Sequence, residues 1–257
     1  GVFFTAAEIK AKKYFGAKII PSRGAWIEIE TDVDNTLYVR IDRKRKFSIA
    51  SLLRVMGAST DEKILALFKD DPTALEYIKN SVAKDPAKDS DASAIEIHKR
   101  LRDGDLATPE NAREFIKSIF GTERYDLSKV GRFRFNSRFG KNMSDKEMER
   151  RTVSLEDIAT IVGHVVHLNV TPESQEDDID HLGSRRVRYV GELMQQKIRV
   201  GMSQMKRNIQ NRMSTIDTNM TMPVNFISPK QLQARLKEFF TTNQLSQFMQ
   251  HYNALTE

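Results

Sequence analysis

The 257-residue sequence contains no cysteine and only one tryptophan, Trp26. The lack of cysteine excludes a disulfide framework, a cysteine nucleophile and any thiolate metal site. Long apolar runs are also missing, because no stretch approaches the roughly 20 apolar residues that a membrane-spanning helix needs. No apolar stretch follows a basic start, so no signal peptide is indicated. We therefore expect a soluble protein of the cytoplasm, a reducing compartment, that has no membrane partner.

Motifs for enzyme chemistry are equally scarce. The sequence has no glycine-rich loop that could cradle a phosphate and no Gly-x-Ser-x-Gly nucleophile turn. His164 and His167 have the spacing of two metal ligands on one helix, but no third ligand lies near them in the sequence. Residues 176–180 contain carboxylates that could hold Mg²⁺, although a solvated acidic loop is the better interpretation. The residues alone thus predict neither a metal site nor a catalyst.

Basic residues are concentrated in the last third of the chain. The net charge is +6, from 41 Lys and Arg against 35 Asp and Glu. Residues 1–180 hold 30 basic and 31 acidic side chains, whereas residues 181–257 hold 11 and 4. The first part still contains one basic cluster, which comprises Arg40, Arg43, Lys44, Arg45 and Lys46. Closely spaced cations favour a nucleic-acid backbone through counterion release, so this cluster is a candidate for phosphate contacts, with a solvated turn as the alternative.

Hydrophobic periodicity predicts an α+β, helix-rich fold. Apolar residues alternate through residues 13–42, which indicates a small antiparallel sheet near the N-terminus. Between residues 49 and 168 the apolar spacing is mostly helical, which predicts a series of helices. Phe133 and Phe135 alternate with arginines and favour a short strand or hairpin arm. Residues 84–93 are polar and interrupted by proline, which favours a flexible linker or loop.

The strongest periodic signal lies beyond residue 180. Apolar residues recur at steps of three or four between Val187 and Met213, which predicts a helix of about 26 residues and about 40 Å. Such a methionine-rich stripe is more often core or partner contact than a cofactor site. Residues 214–257 are too few to cover it, so we expect a surface outside this chain to cover part of it. A second helix is predicted to start near Pro229.

Several stretches are similar to one protein family, and they occur in the family's order along the whole chain. They are residues 1–4 (GVFF), 19–26 (IIPSRGAW), 39–46 (VRIDRKRK), 124–132 (RYDLSKVGR), 177–188 (DDIDHLGSRRVR) and 244–249 (QLSQFM). On these residues the chain resembles the β subunit of bacterial DNA-directed RNA polymerase. Gly1 stands where an initiator methionine is expected, which suggests a fragment of such a subunit.

The resemblance implies three regions. Residues 1–180 would form the β lobe, which lines one side of the DNA channel. Residues 181–240 would form the second half of the protrusion, which is a long-helix segment. Residues 241–257 would form the start of the fork and of the rifampicin-binding cluster. The implied partners are DNA, nascent RNA, a sigma factor and the α, β′ and ω subunits. The catalytic Mg²⁺ of this nucleotidyltransferase is bound by β′, so we expect no cofactor in this chain and no catalysis by it alone.

The resemblance also implies a set of site residues. The position matching Trp26 stacks on a base of the non-template strand. The position matching Asp180 accepts hydrogen bonds from an unpaired guanine, in a pocket walled by Ile179 and Arg185. The positions of the RNA path and rifampicin pocket match Gln244, Leu245, Ser246, Gln247, Phe248 and Gln250.

Other interpretations stay open at this point. From the residues alone, Trp26 is a core or half-buried side chain and residues 244–249 are an ordinary helix start. The alternative function is a free-standing basic nucleic-acid-binding protein, or an interaction module that docks another protein through its methionine stripe. Three departures from the family's pattern, Gln250, Tyr252 and Ala254, predict weaker rifampicin binding.

Overall fold

The structure, a computed structural model, describes residues 1–9, 11–102, 104, 107–215, 222–248 and 251–255. The chain divides into two compact units, Gly1–Ile179 and Asp180–Glu257. The first unit combines an N-terminal sheet with a series of helices, and the second is built from helices. The predicted α+β, helix-rich class is therefore confirmed.

Antiparallel strands near the N-terminus form a meander sheet in the order β1-β2-β3-β4-β5. In β3 and β4 the odd-numbered residues are buried, while Glu28, Glu30, Tyr38 and Arg40 lie on the opposite face. The alternation in the sequence therefore gives this sheet one core face. The strands are Val2–Ile9 (β1), Lys12–Ile19 (β2), Ile27–Thr31 (β3), Leu37–Ile41 (β4) and Phe47–Ser48 (β5).

Helices of the first unit begin where side-chain caps are available. Thr60, Asp71 and Thr108 each accept a hydrogen bond from a first-turn backbone N–H, and Gly57 ends the first helix with φ 137°. The helices are Ile49–Met56 (α1), Asp61–Ala66 (α2), Pro72–Lys84 (α3), Ser90–Leu101 (α4), Pro109–Phe120 (α5), Ser128–Arg138 (α6), Asp145–Glu149 (α7) and Leu155–Val170 (α8).

Helix α8 packs against the sheet and begins with a capping box formed by Ser154 and Asp157. Near its end, the Asn169 Oδ1 accepts a hydrogen bond from the Phe15 N–H (2.8 Å) and its Nδ2 donates to the Phe15 carbonyl (3.1 Å). This side chain satisfies both backbone groups of one β2 residue. The buried side chains of α8 in the core are Ile158, Ile161, Val162, Val165 and Val166.

The second unit contains the long helix that the sequence predicts. Helix α9 spans Val190–Thr215, 26 residues. A short 3₁₀ turn at Pro223–Phe226 and helix α10, Lys230–Thr241, follow it. Helix α10 packs against α9 at Gly201, where an added Cβ would lie 3.1 Å from the Leu232 Cα. A Cβ at this position would crowd Leu232, so glycine favours the close approach of the two helices.

The apolar stripe of α9 is only partly covered within this unit. Gly201 is the buried residue of the helix. Ile198, Met202 and Met213 are 38%, 47% and 53% exposed. Helix α10 packs on the side of α9 that carries Lys197 and Gly201, and the Lys197 ammonium pairs with the Glu238 carboxylate at 2.8 Å. The expectation that residues 214–257 cannot cover the stripe agrees with these exposures among the described residues.

One local prediction was wrong. Phe133 and Phe135 lie in helix α6, not in a strand, because Gly131, Arg132, Phe135 and Asn136 are buried with helical spacing. The run of alternating apolar residues was too short to distinguish the two-residue period of a strand from the 3.6-residue period of a helix.

The polar segment 84–93 was predicted to be a flexible linker or loop, and its residues 85–89 do form a loop between α3 and α4. Its Asp85 is buried and accepts hydrogen bonds from Ser51 and from the fully buried Arg54 (2.7 Å). An ion pair in the core thus fixes a segment that looks like a linker from its composition, since an unpaired buried charge would be strongly destabilising.

Candidate nucleic-acid interface

Trp26 lies directly before β3, and both of its backbone polar groups are hydrogen-bonded to Asp42. The Trp26 N–H donates to the Asp42 Oδ1 (2.8 Å), and the Asp42 N–H donates to the Trp26 carbonyl (2.9 Å). This pair continues the β3–β4 register by one residue beyond Ile27 and Ile41. The indole is 37% exposed, so Trp26 is not a core residue. A rigid backbone therefore presents one aromatic ring to solvent.

The turn that leads into Trp26 is fixed by a distant part of the chain. The Arg23 N–H donates to the Asp126 carbonyl (3.1 Å), and the Asp126 N–H donates to the Arg23 carbonyl (2.7 Å). Gly24 has φ 125°, and an added Cβ would lie 2.8 Å from the Tyr125 ring. The stretches 19–26 and 124–132, which carry the family resemblance, therefore contact each other.

The basic cluster divides into two parts with different surroundings. Arg40 pairs with Glu30 (3.0 Å) and Lys46 with Asp32 (3.1 Å), so acidic side chains of β3 and the following turn neutralise both. Because the neighbouring carboxylate offsets the positive charge of each of these side chains, Arg40 and Lys46 are weaker candidates for phosphate contacts.

The remaining cations of the cluster lie in the turn after β4. The Arg43 guanidinium is 5.6 Å from the centre of the Trp26 ring. Lys44 is exposed and makes no side-chain ion pair with any residue that the structure describes. Arg45 is also exposed. Trp26, Asp42 and Arg43 together line an open depression. The structure thus brings the tryptophan and part of the basic cluster together.

The predicted guanine pocket falls across the boundary of the two units. Ile179 is half-buried at the end of the first unit. In the second unit, the Arg185 Nη1 donates to the Asp180 Oδ1 (2.7 Å), and both side chains are largely exposed. Asp180 and Arg185 are therefore brought together as an ion pair.

Of the residues predicted to line the RNA path, the described ones, 244–248, follow α10 without a helix of their own. The Leu245 N–H donates to the Asn243 Oδ1 (2.9 Å), and Leu245 and Phe248 are 71% and 99% exposed. Gln244 and Gln247 are exposed and Ser246 is half-buried, whereas Gln250 lies outside the described residues. The exposure of these apolar groups argues against the interpretation in which they pack inward.

The acidic loop was predicted to be solvated, and this is wrong for its centre. The Asp177 N–H donates to the Phe4 carbonyl and the Asp177 Oδ2 accepts from the Phe4 N–H, both at 2.8 Å. Arg138 binds the same carboxylate through two nitrogens (2.6 and 3.0 Å), and Glu176 accepts from the Ala6 N–H. The edge strand β1 has unpaired backbone groups, and this segment satisfies some of them.

His164 lies against β1 in an aromatic cluster, and the exposed His167 lies beside it. The His164 ring is 4.5 Å from that of Phe4 and 5.5 Å from that of Phe139, and it stacks on His167 at 6.4 Å. Burial, together with the charge of Arg138, lowers the pKa of His164 below its ordinary value. Within the described ranges, no group of three His, Asp or Glu residues is placed to hold a metal ion.

Sequence reasoning missed Asp42, which holds the Trp26 backbone, and the structural role of Arg132. Asp42 lies inside the stretch 39–46 but was not among the predicted site residues. Arg132 is fully buried, and it donates to Asp157 (3.0 Å) and to the carbonyls of Arg150 (2.7 Å) and Thr152 (2.6 Å). Burial alone would raise the pKa of Asp157, but the Ser154 N–H and Arg132 lower it below its usual range. No sequence signal separates such a buried arginine from a DNA contact.

Comparison with known proteins defines the class to which this arrangement belongs. Residues 5–188 match the family model described as RNA polymerase Rpb2, domain 2, and the chain belongs to that family of RNA polymerase domains. In the described part of the chain, no helix combines the length and apolar character needed to span a membrane.

The relatives are bacterial β subunits. The chain is 39% identical over 259 residues to DNA-directed RNA polymerase subunit beta of Syntrophomonas wolfei, which matches 100% of this chain and 23% of the relative. The same subunit of Bifidobacterium adolescentis is 39% identical over 272 residues, 99% of the chain and 22% of the relative. That of Synechococcus elongatus is 37% identical over 260 residues, 100% of the chain and 23% of the relative. The chain therefore corresponds to a section of a bacterial β subunit.

Proposed function

We propose that this chain is the part of a β subunit that lines the DNA channel of an assembled RNA polymerase and contacts DNA and the nascent RNA. Residues 1–180 would be the lobe, residues 181–240 the second half of the protrusion, and residues 241–257 the start of the fork and rifampicin cluster. The similarity to β subunits along the whole chain supports this assignment. Its partners would be the α, β′ and ω subunits and a sigma factor.

The observation that carries the proposal is the exposed Trp26 beside Arg43. A planar aromatic ring offers a stacking surface to any unpaired base, which is worth roughly 1–3 kcal/mol, and a nearby cation favours the backbone of the same strand. We propose that Trp26 stacks on a base of the non-template strand near the start of the downstream duplex. Arg43, Lys44 and Arg45 would contact phosphates, with Arg40 and Lys46 in secondary positions because of their ion pairs.

Asp180 would recognise an unpaired guanine of the same strand. A carboxylate accepts hydrogen bonds from guanine N–H groups, which adenine, cytosine and thymine cannot reproduce in the same arrangement. The contact with Arg185 at 2.7 Å would orient the carboxylate, and Ile179 would form an apolar wall. We further propose that residues 244–248, with Gln250, line the RNA path and the rifampicin pocket.

The chain would not form phosphodiester bonds by itself. Nucleotidyl transfer in this enzyme class relies on metal ions that activate the attacking oxygen and stabilise the leaving group. We propose that β′ supplies the carboxylates for this Mg²⁺, and that residues 1–257 contribute to holding the nucleic acid. Transcription would therefore require the assembled enzyme.

The test uses whole RNA polymerase reconstituted with the full β subunit of this sequence. Trp26→Ala is expected to shorten the lifetime of the open promoter complex by about tenfold, which corresponds to about 1.4 kcal/mol of lost stacking. Phe133→Ala, which removes another exposed aromatic ring of the same unit, serves as the matched control and should leave the lifetime unchanged. Equal lifetimes for wild type and Trp26→Ala would contradict the proposal.

A further inference from the structure

Arg43 covers a face of Trp26 in the unbound protein. The centre of the Arg43 guanidinium lies 5.6 Å from the centre of the indole, within the range of a cation–π contact. The open depression at this place is lined by Trp26, Asp42 and Arg43. The side chain that occupies the stacking surface is therefore also the cation nearest to it.

The backbone holds Arg43 in this position at a conformational cost. The Lys44 N–H donates to the Ile41 carbonyl (3.0 Å), which closes a turn whose central residues, Asp42 and Arg43, have φ 50° and 59°. Two successive positive φ values are the requirement of a type I′ turn, which favours glycine or asparagine. Asp42 tolerates this conformation, but arginine is an unusual choice. Positive φ values of this kind persist where surrounding contacts hold the backbone, and here the two hydrogen bonds between Asp42 and Trp26 hold the turn.

Arginine has the chemistry for two tasks at this position. Its planar guanidinium stacks on aromatic faces, and it also binds phosphate through two parallel N–H groups. An exposed cation–π contact is weaker than the stacking of a base on an aromatic ring, so an incoming base is expected to displace it. The displaced guanidinium then lies beside the backbone of the strand that carries the base.

We propose that Arg43 is a displaceable cover of Trp26: it shields the indole in the empty site and contacts a phosphate of a single-stranded nucleic acid when a base takes its place. This inference rests on the proposed stacking function of Trp26. It assigns to Arg43 a contact with the indole that Arg40 and Lys46 do not make, because those two cations are paired with Glu30 and Asp32.

The cover is tested by fluorescence of the full 257-residue chain, in which Trp26 is the single tryptophan. Quenching by acrylamide measures how accessible the indole is. Arg43→Ala is expected to raise the quenching constant about twofold, on the scale of uncovering one ring face. Lys44→Ala, one residue further along the same turn, should leave it unchanged. Equal quenching constants for wild type and Arg43→Ala would refute the claim that Arg43 covers the indole.

The phosphate contact is tested with the same proteins and an oligodeoxythymidine of about 15 nucleotides, titrated at several salt concentrations while Trp26 fluorescence is followed. The slope of log K against log salt is expected to fall by about 0.7 in Arg43→Ala, the value for one phosphate contact to a single strand, and to be restored in Arg43→Lys. Lys69→Ala, an exposed lysine beyond α2, is the control and should keep the wild-type slope.

The outcomes separate the inference from the proposed function. If the oligonucleotide does not quench Trp26 in the wild type, the stacking proposal and the phosphate contact both fail, and the acrylamide result alone decides whether Arg43 covers the ring. If the oligonucleotide quenches Trp26 but Arg43→Ala has the wild-type salt slope, Trp26 stacks as proposed and the role of Arg43 is refuted.

Discussion

Asp42 and Trp26 hold each other through two hydrogen bonds. The Asp42 carboxylate accepts from the Trp26 N–H at 2.8 Å, and the Asp42 N–H donates to the Trp26 carbonyl at 2.9 Å. One residue therefore holds the backbone of Trp26 and starts the turn that carries Arg43. The rigidity of the stacking surface depends on this pair, because a ring on a mobile loop would lose conformational entropy on binding a base.

Removing the Asp42 side chain should destabilise the first unit. Asp42→Ala deletes the acceptor of the Trp26 N–H and places alanine at φ 50°, so we expect a loss of about 1–2 kcal/mol in the free energy of unfolding. Asp42→Asn keeps an acceptor oxygen and tolerates the left-handed conformation, so it should lose much less. Urea denaturation followed by Trp26 fluorescence measures both. Equal losses for the two variants would show that the carboxylate position is unimportant.

Arg43→Gly should separate stability from binding. Glycine relieves the positive φ of 59°, which costs an L-residue roughly 1–2 kcal/mol, and part of this gain is offset by the greater entropy of the unfolded chain. We expect the glycine variant to be more stable than Arg43→Ala by about 0.5–1 kcal/mol. It should bind single-stranded DNA no better than Arg43→Ala does. A glycine variant that is less stable than the alanine variant in urea would contradict the turn assignment.

Periodicity predicted most of the fold, since it reflects which face of an element is buried. The sheet, the capped helices and the 26-residue α9 all follow from apolar spacing and end signals. Where periodicity was too short to decide, as around Phe133, or said nothing, as at Asp85, the structure depends on partners distant in sequence. Helix α6 buries Arg132 because Asp157 lies 25 residues further along, and Asp85 is buried because Arg54 reaches it.

The candidate site was predictable only in part. Trp26 and the basic cluster were selected from the sequence, and the turn brings Arg43 to the indole. The division of the cluster was not predictable, because it depends on which carboxylates of β3 and the next turn face Arg40 and Lys46. The role of Asp177 was also hidden, since local composition does not show that a loop pairs with the edge of β1.

The lowered pKa of His164 predicts a pH dependence of stability. Histidine in the unfolded chain titrates near 6.5, and burial holds the folded-state pKa below that value. The unfolded state therefore binds a proton first, so the free energy of unfolding should fall as pH decreases from about 6.5 toward the folded-state pKa, and should be unaffected above that range. His164→Phe should remove this part of the pH dependence of the free energy of unfolding. His167→Gln, one turn away and exposed, should largely retain it. An unchanged slope in His164→Phe would refute the assignment.

Rifampicin should bind weakly to polymerase that carries this sequence. A carboxylate that accepts a hydrogen bond is absent at Gln250, and Tyr252 adds bulk, so a loss of about 1–3 kcal/mol, or one to two decades in affinity, is expected. Gln250→Asp combined with Tyr252→Asn should restore tight inhibition, which a transcription assay with increasing rifampicin measures. Leu255→Ala, an exposed side chain of the same segment, is the control. Tight inhibition of the unmodified enzyme would show that the departures are harmless.

The stacking of Trp26 on an unpaired non-template base is the central claim, and photocrosslinking tests it most directly. The assembled polymerase would be bound to a promoter in which 5-bromouracil replaces single thymines of the non-template strand near the downstream edge of the bubble. Mass spectrometry would then locate the crosslinked residue. We predict a crosslink to Trp26 at one position and its loss in Trp26→Ala. Efficient crosslinks from every tested position to other residues, with none to Trp26, would contradict the account.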